Sequence, residues 1–273
     1  MTDLPHADIG VIGGSGLYSF LDDVTEVSVD TPYGPPSDAL LIGEYAGRTI
    51  AFLPRHGRTH SVPPHRINYR ANLWALHSVG VRRILAPCAV GSLHQDLGPG
   101  TLVVPDQVID RTYGREHTFF DGLPRTDGTL PPVAHAPMAD PYCSTGRDTV
   151  ISTAGAQGWH PRPDGTLVVI QGPRFSTRAE SLWHRAAGGT VVGMTGQPEV
   201  TLARELGICY TSIALVTDHD AGAETGDGVT HEEVLHVFKQ NIDRLRPLLT
   251  GAIKNLPSDR ACSCAGAPDT DQS

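Results

Sequence analysis

Aromatic residues are few in this chain, 6% of 273, and no apolar run reaches the length of a membrane span. Lysine and arginine number 21 against 30 acidic residues, a formal net charge of −9. They gather in no basic run, so a nucleic-acid surface is not expected. Met1-Thr2-Asp3-Leu4-Pro5 lacks a basic and then apolar leader pattern, which makes the cytoplasm the expected compartment. Cysteine is sparse and odd in number: Cys88, Cys143, Cys209, Cys262 and Cys264 do not form the framework of a secreted disulfide scaffold. Cys88 and Cys209 lie in apolar runs and read as core residues, whereas Cys262-Ser263-Cys264 stands in a polar stretch and reads as two solvated thiols. Among thirteen histidines no His-x-x-x-His pair is backed by a glutamate on a helix, which argues against metal catalysis.

Thirty glycines and twenty-two prolines are present instead, enough for a site built from many tight loops. The chain is organised around Gly207-Ile208-Cys209-Tyr210-Thr211-Ser212-Ile213-Ala214-Leu215-Val216-Thr217-Asp218-His219-Asp220. Its apolar, β-branched run predicts a strand buried on both faces. It ends in two carboxylates, Asp218 and Asp220, which an extended backbone would project to one side. Ligands of open α/β sheets sit beyond the carboxyl ends of such strands.

Other strand ends also deliver polar groups. Asp8-Ile9-Gly10-Val11-Ile12-Gly13-Gly14-Ser15-Gly16-Leu17 runs into a glycine turn, but Ser19 occupies the place of the third glycine of a dinucleotide fingerprint. The turn suits an oxyanion held by Ser15 and backbone N–H groups. Residues 24–53 alternate like antiparallel strands, and the strand 49–53 delivers Arg55-His56. A helix is expected over 68–79, strands over 83–90, 100–105 and 165–171, and a strand ending at 191–196. Residues 111–148 read as a long functional or subunit-contact loop. A helix with apolar positions Ala179, Leu182, Trp183 and Ala186 follows, then one opened by Pro198-Glu199. The capping box Thr230-x-x-Glu233 starts an amphipathic helix carrying Val234, Val237, Phe238, Ile242, Leu245 and Leu249. With neither repeat nor linker, the reading is α/β: a single domain over 1–257 with a twisted mixed central sheet flanked by helices. A polar, disordered tail is expected over 258–273. Ser15, Arg55, His56 and Thr195 suit a phosphate, Phe175 a flat heterocycle, Met194 a sugar, and Asp218 with Asp220 ring nitrogens.

These motifs together resemble the trimeric purine nucleoside phosphorylase family, in particular its 5′-methylthioadenosine phosphorylase branch. The segments that carry the resemblance are Ile12-Gly13-Gly14-Ser15-Gly16-Leu17, Thr31-Pro32-Tyr33-Gly34, Arg55-His56-Gly57, Asn68-Tyr69-Arg70-Ala71-Asn72, Gly172-Pro173-Arg174-Phe175-Ser176-Thr177-Arg178-Ala179-Glu180, Met194-Thr195 and Thr217-Asp218-His219-Asp220. The resemblance implies phosphate contacts from Ser15, Arg55, His56, Cys88, Ala89 and Thr195, with Cys88 standing where relatives often have threonine. It implies Phe175 on the base, Met194 under the ribose, and His135 lent to a neighbouring subunit of a homotrimer or a dimer of trimers. In the 6-oxopurine branch a glutamate follows the phenylalanine of Gly-Pro-x-Phe, and an asparagine stands at the position of Asp218. Ser176 and Asp218 here point to adenine, since a mismatched buried polar group discriminates strongly. Val234 and Leu235 fit an apolar 5′ group, while His231 resembles a 5′-hydroxyl ligand, so methylthioadenosine, adenosine and other 5′-modified adenosines stay open. The implied reaction is reversible phosphorolysis with Asp218 as general acid. Inorganic phosphate is a co-substrate, and no organic cofactor or metal is called for.

Overall fold

The structure, a computed structural model, describes residues 4–14, 17, 21, 23–222 and 230–266. In chain order its elements are β1 (Ile9–Gly13), β2 (Thr25–Val27), β3 (Leu40–Tyr45), β4 (Arg48–Pro54), α1 (Tyr69–Ser78), β5 (Arg83–Ser92), β6 (Leu102–Val103), β7 (Gln107–Arg111), α2 (Ser144–Ala156), β8 (Thr166–Ile170), α3 (Arg178–Ala186), β9 (Val191–Gly193), α4 (Gly196–Glu205), β10 (Cys209–His219) and α5 (His231–Asn255). The strands form one mixed sheet in the order β2-β3-β4-β1-β5-β9-β8-β7, with β10 and β6 joined through β5. Among the described residues no helix is long and apolar enough to cross a membrane.

Two apolar layers cover the middle of the sheet, and the period-two rule assigns side chains to them. On β4, Ala51 and Leu53 join the core beneath α1 and α4, with Leu73, Leu76, Val200 and Ala203. Ile50 and Phe52 point the other way, to the core beneath α2 and α5, with Val150, Ala154, Leu245 and Leu249. Buried on both faces, β1, β5 and β10 therefore read as nearly continuous apolar runs.

The topology leaves a gap at the centre. β10 runs parallel to β5 from Arg83 to Ser92 and so occupies one edge completely. On the opposite edge β1 takes only Arg83–Leu85, and β9 takes only Gly91 and Ser92. Residues 86–90 are left without a strand partner on that side. Pro87 lies in this interval, where its missing N–H costs no ladder bond. The carboxyl ends of β1, β4, β5, β8, β9 and β10 surround the opening.

Two expectations need correction, and one expected helix turns its polar residues inward. The region 111–148, read as one long loop, follows β7 directly and gives way to α2 at Ser144. That helix, rich in Ser, Thr and Gly, has little propensity or periodicity, so packing must decide it. A Cβ on Gly146 would lie 2.0 Å from Thr211 Oγ1, which explains the small residue there. On α3 the buried residues are Ser181 and His184, while Leu182 and Trp183 are about half exposed (48% and 51%) and Ala179 and Ala186 face outward. Finally, the described part of the expected tail packs on the domain. Arg83 donates to the carbonyls of Pro257 and Asp259, Arg260 donates to Gly207, and Cys264 is buried. The reading of Cys262 and Cys264 as two solvated thiols is thereby overturned: guanidinium–carbonyl bonds tie the segment down.

Candidate active site

A cavity of about 570 Å³ fills the gap in the sheet. Arg55, His56, Cys88, Ala89, Phe175, Met194, Thr195, Asp218, Asp220, Val234 and Leu235, eleven of the sequence-predicted site residues, line it together. Three do not complete the set. Ser15 and the side chain of His231 lie outside the described residues, and His135 is exposed and does not line its own chain's cavity.

The cationic wall starts where β4 ends. Arg55 is 2% exposed and forms a two-point ion pair with Glu199, Nε to Oε1 at 2.6 Å and Nη2 to Oε2 at 3.0 Å. Its Nη1 donates to Pro87 O at 3.0 Å, on the open interval of β5. Burial alone would weaken the cation, but Glu199 more than offsets it and holds the guanidinium firmly charged. Tyr210 donates its hydroxyl to the same carboxylate at 2.6 Å. Glu199 sits in the first turn of α4, fully buried. The backbone is non-helical at Gln197, so regular turns begin at Pro198 as proline's fixed φ favours.

His56 faces Val62 O with Nδ1 at 2.9 Å. Burial first, then the Arg55 charge, push its imidazole down to about 4. The neutral ring therefore commits Nδ1–H to Val62 and leaves Nε2 unprotonated. An anion bound beside it would reverse the balance, favouring a proton on Nε2 and a second donor for that anion. His60 stacks on His56 with ring centroids 4.5 Å apart. Thr195, the residue before α4, is buried and caps that helix with no side-chain bond, so its hydroxyl is not committed to a cap. Cys88 is buried with Sγ 3.7 Å from Ser212 Oγ, and burial raises its thiol. A soft, weakly donating group thus stands where a hydroxyl would donate more strongly.

The acidic wall comes from the end of β10, where a register shift between Val216 and Asp218 bends the strand. Asp218 accepts the Thr217 hydroxyl at 2.7 Å, and Asp220 accepts the Ser181 hydroxyl at 2.6 Å. Burial first, opposed by the Thr217 bond and aided by the Asp220 charge, pushes the Asp218 carboxyl up to about 6. Both acids press on Gly91: a Cβ there would lie 2.8 Å from Asp218 Oδ1 and 2.9 Å from the Asp220 Cβ. Gly91→Ala should displace the pair and lower turnover about 100-fold while leaving a folded protein, checked by steady-state kinetics beside a thermal melt.

Phe175 and Met194 form the third side. Gly172 has φ +63°, and a Cβ on it would meet Met194 Sδ at 2.7 Å, so glycine is required on both counts. Behind them, buried Arg115 binds Tyr69 Oη at 3.0 Å, Met194 O at 2.9 Å, Gln197 O at 2.5 Å and Gln171 O at 2.7 Å. One side chain thus fixes the two loops that carry the aromatic wall. Ser176 does not line the cavity, and its Oγ is buried with no hydrogen-bond partner among the described residues.

Sequence reasoning missed Glu199, Ser181, Arg115, Gly91, His60 and Phe238. Glu199 carried one signal, an acid at a helix start, which ordinarily stabilises the helix dipole in solvent. Nothing local distinguishes it from an acid turned inward to an arginine 144 positions away.

An α/β sheet with a cavity at its strand ends, lined by a buried cation, two carboxylates and an aromatic ring, is the framework of an enzyme for a small heterocyclic substrate and an anion. The chain belongs to the phosphorylase superfamily, whose family model matches residues 8–254. It is 65% identical over 269 residues to a purine nucleoside phosphorylase of Streptomyces coelicolor, covering 98% of this chain and 96% of that protein. It is 51% identical over 256 residues to an S-methyl-5′-thioadenosine phosphorylase of Mycolicibacterium smegmatis, covering 93% of each. Among solved structures, methylthioadenosine phosphorylase from Schistosoma mansoni in complex with adenine superposes with a TM-score of 0.87 at 39% identity, covering 93% of each chain.

Proposed function

We propose that the protein cleaves the N-glycosidic bond of 5′-methylthioadenosine with inorganic phosphate, giving adenine and 5-methylthioribose 1-phosphate. One observation carries the reading: a single cavity is lined by Asp218 and Asp220, by Arg55, His56 and Thr195, and by the apolar Val234, Leu235 and Phe238. Phosphate on the cationic wall would stabilise the positive charge that grows at C1′ and then attack there. As the C–N bond breaks, its electron pair goes to the purine. Asp218, whose carboxyl its surroundings hold up to about 6, gives N7 a proton in its protonated form. Asp220, oriented by Ser181, accepts from the 6-amino group. The apolar start of α5 favours a methylthio group over a hydroxyl, because a buried hydroxyl without a partner is costly.

A second reading is phosphorolysis of adenosine, of inosine or guanosine, or of another 5′-modified adenosine. It is favoured by the purine nucleoside phosphorylase relative of Streptomyces coelicolor and by His231 at the start of α5. Base release from methylthioadenosine, adenosine and inosine, with and without phosphate, separates the two. The expected result is phosphate-dependent release fastest from methylthioadenosine. Adenosine as best substrate would give His231 a 5′-hydroxyl role, and inosine as best substrate would overturn the adenine assignment.

The same proposal includes a homotrimer working in the cytoplasm. Tyr113 (73% exposed) and Val133 (87%) present apolar surface on the connection between β7 and α2 that carries His135, and Trp183 (51%) does so on α3. His135 would then serve a neighbouring subunit's cavity. Sedimentation at assay concentration should give three times the chain mass, and a monomer with full activity would refute the shared site.

A further inference from the structure

At the amino ends of the parallel strands, opposite the cavity, four cysteines converge. Cys143 precedes α2, Cys209 opens β10, and Cys262 and Cys264 follow α5 in a tight turn. Their sulphurs all lie within 4.8 Å of one another, and Cys209 Sγ is 3.3 Å from Cys262 Sγ. Cys143, Cys209 and Cys264 are buried. We propose that Cys143, Cys209, Cys262 and Cys264 hold a structural zinc ion as a tetrathiolate.

Four soft ligands meeting at one point, with no histidine or carboxylate among them, select zinc over harder cations. With Zn–S near 2.3 Å, a tetrahedron sets its sulphurs roughly 3.8 Å apart, close to the spacing of this cluster. The surroundings suit the charge. Each thiol gives its proton to solvent on binding, so four thiolates and Zn²⁺ leave a net −2. Arg83, paired across from Cys209, reaches the carbonyls of Pro257 and Asp259, and Arg260 reaches Gly207 O. Gly146 N–H donates to Cys143 Sγ at 3.4 Å, which supports an electron-rich sulphur. The ion would fasten the segment after α5 to the start of β10 and the head of α2. Through α5 it would steady the helix whose other end supplies Val234, Leu235 and Phe238 to the cavity. The zinc would stand outside the chemistry.

The test is metal analysis of the intact protein purified under reducing conditions. One zinc per chain is expected, with four thiols shielded until the ion is chelated. Chelation should lower the thermal midpoint by roughly 10 °C. Cys264→Ser should lose the zinc. Should that variant fail to fold, cobalt(II) exchanged into the parent protein should give the intense ligand-field and charge-transfer bands of a tetrahedral thiolate site. An intact mass four hydrogens short, meaning two disulfides, would overturn the proposal. So would four free thiols with no zinc and no cobalt uptake.

Discussion

Asp218→Asn is expected to lower kcat for phosphorolysis by about 10²- to 10⁴-fold, the range for losing a general acid. The variant keeps the shape and can still accept from Thr217, but it has no proton to release to a leaving purine. The pH dependence gives a second readout. The Asp218 carboxyl is held up to about 6, so it is a donor below that pH and only an acceptor above it. For the parent protein kcat/KM should therefore fall above about pH 6, with the inflection displaced upward when anionic phosphate saturates the cavity. In Asp218→Asn that limb should vanish. Stability should report the same titration. An acid whose value is higher in the native state than in the unfolded chain, near 3.9, costs stability as pH rises from about 4 to about 6, and the deficit then stays constant. It amounts to at most about 3 kcal/mol before water screening is allowed for. The asparagine variant should be equal to or more stable than the parent at pH 8 and no different at low pH. Retained turnover would remove Asp218 from the acid role, whereas lost turnover with lost stability would mean the site had simply collapsed.

Glu199→Ala should be the most damaging change to stability in the site. It strips a fully buried guanidinium of both charge-assisted bonds and leaves the Tyr210 hydroxyl without its acceptor. Removing one partner of such a pair costs about 3–5 kcal/mol, because the remaining charge has nowhere to go. The thermal midpoint should fall by roughly 10 °C. Arg55 would also lose its fixed direction, and KM for phosphate should rise about tenfold or more. Glu199→Gln preserves one acceptor and the volume, and should fall between parent and alanine on both measures. An unchanged melting temperature in the alanine variant would mean that the pair is solvated and that Arg55 is oriented by Pro87 alone.

Legibility of the chain followed the range of the forces involved. β10 and its two acids could be read because an uninterrupted apolar run and an abrupt polar end are local properties. α5 was marked by its capping box, and the structure closes both bonds of that box, from Thr230 and from Glu233. α2 could not be read: its Ser, Thr and Gly residues carry no period, and contacts to α5 and β10 fold it. The direction of α3 was illegible for the opposite reason. Leu182 and Trp183 suggest an inward face, yet the helix buries Ser181 to hold Asp220 and leaves the apolar residues outside. A pattern of polarity does not say which side of a helix packs, and the apolar residues of α3 stay at the surface of this chain.

The sequence by itself determined the α/β order of elements and the strand ends that carry Arg55, His56, Thr195, Asp218 and Asp220, because hydrophobic periodicity and turn chemistry act over a few residues. Only the tertiary structure decided which of those ends meet. It opened β5 between β1 and β9, turned Glu199 inward against Arg55, pressed Gly91 between two acids and drew Cys143, Cys209, Cys262 and Cys264 to one point. Those pairings join residues far apart in the chain, and their energy comes from excluding water around groups that must then satisfy one another.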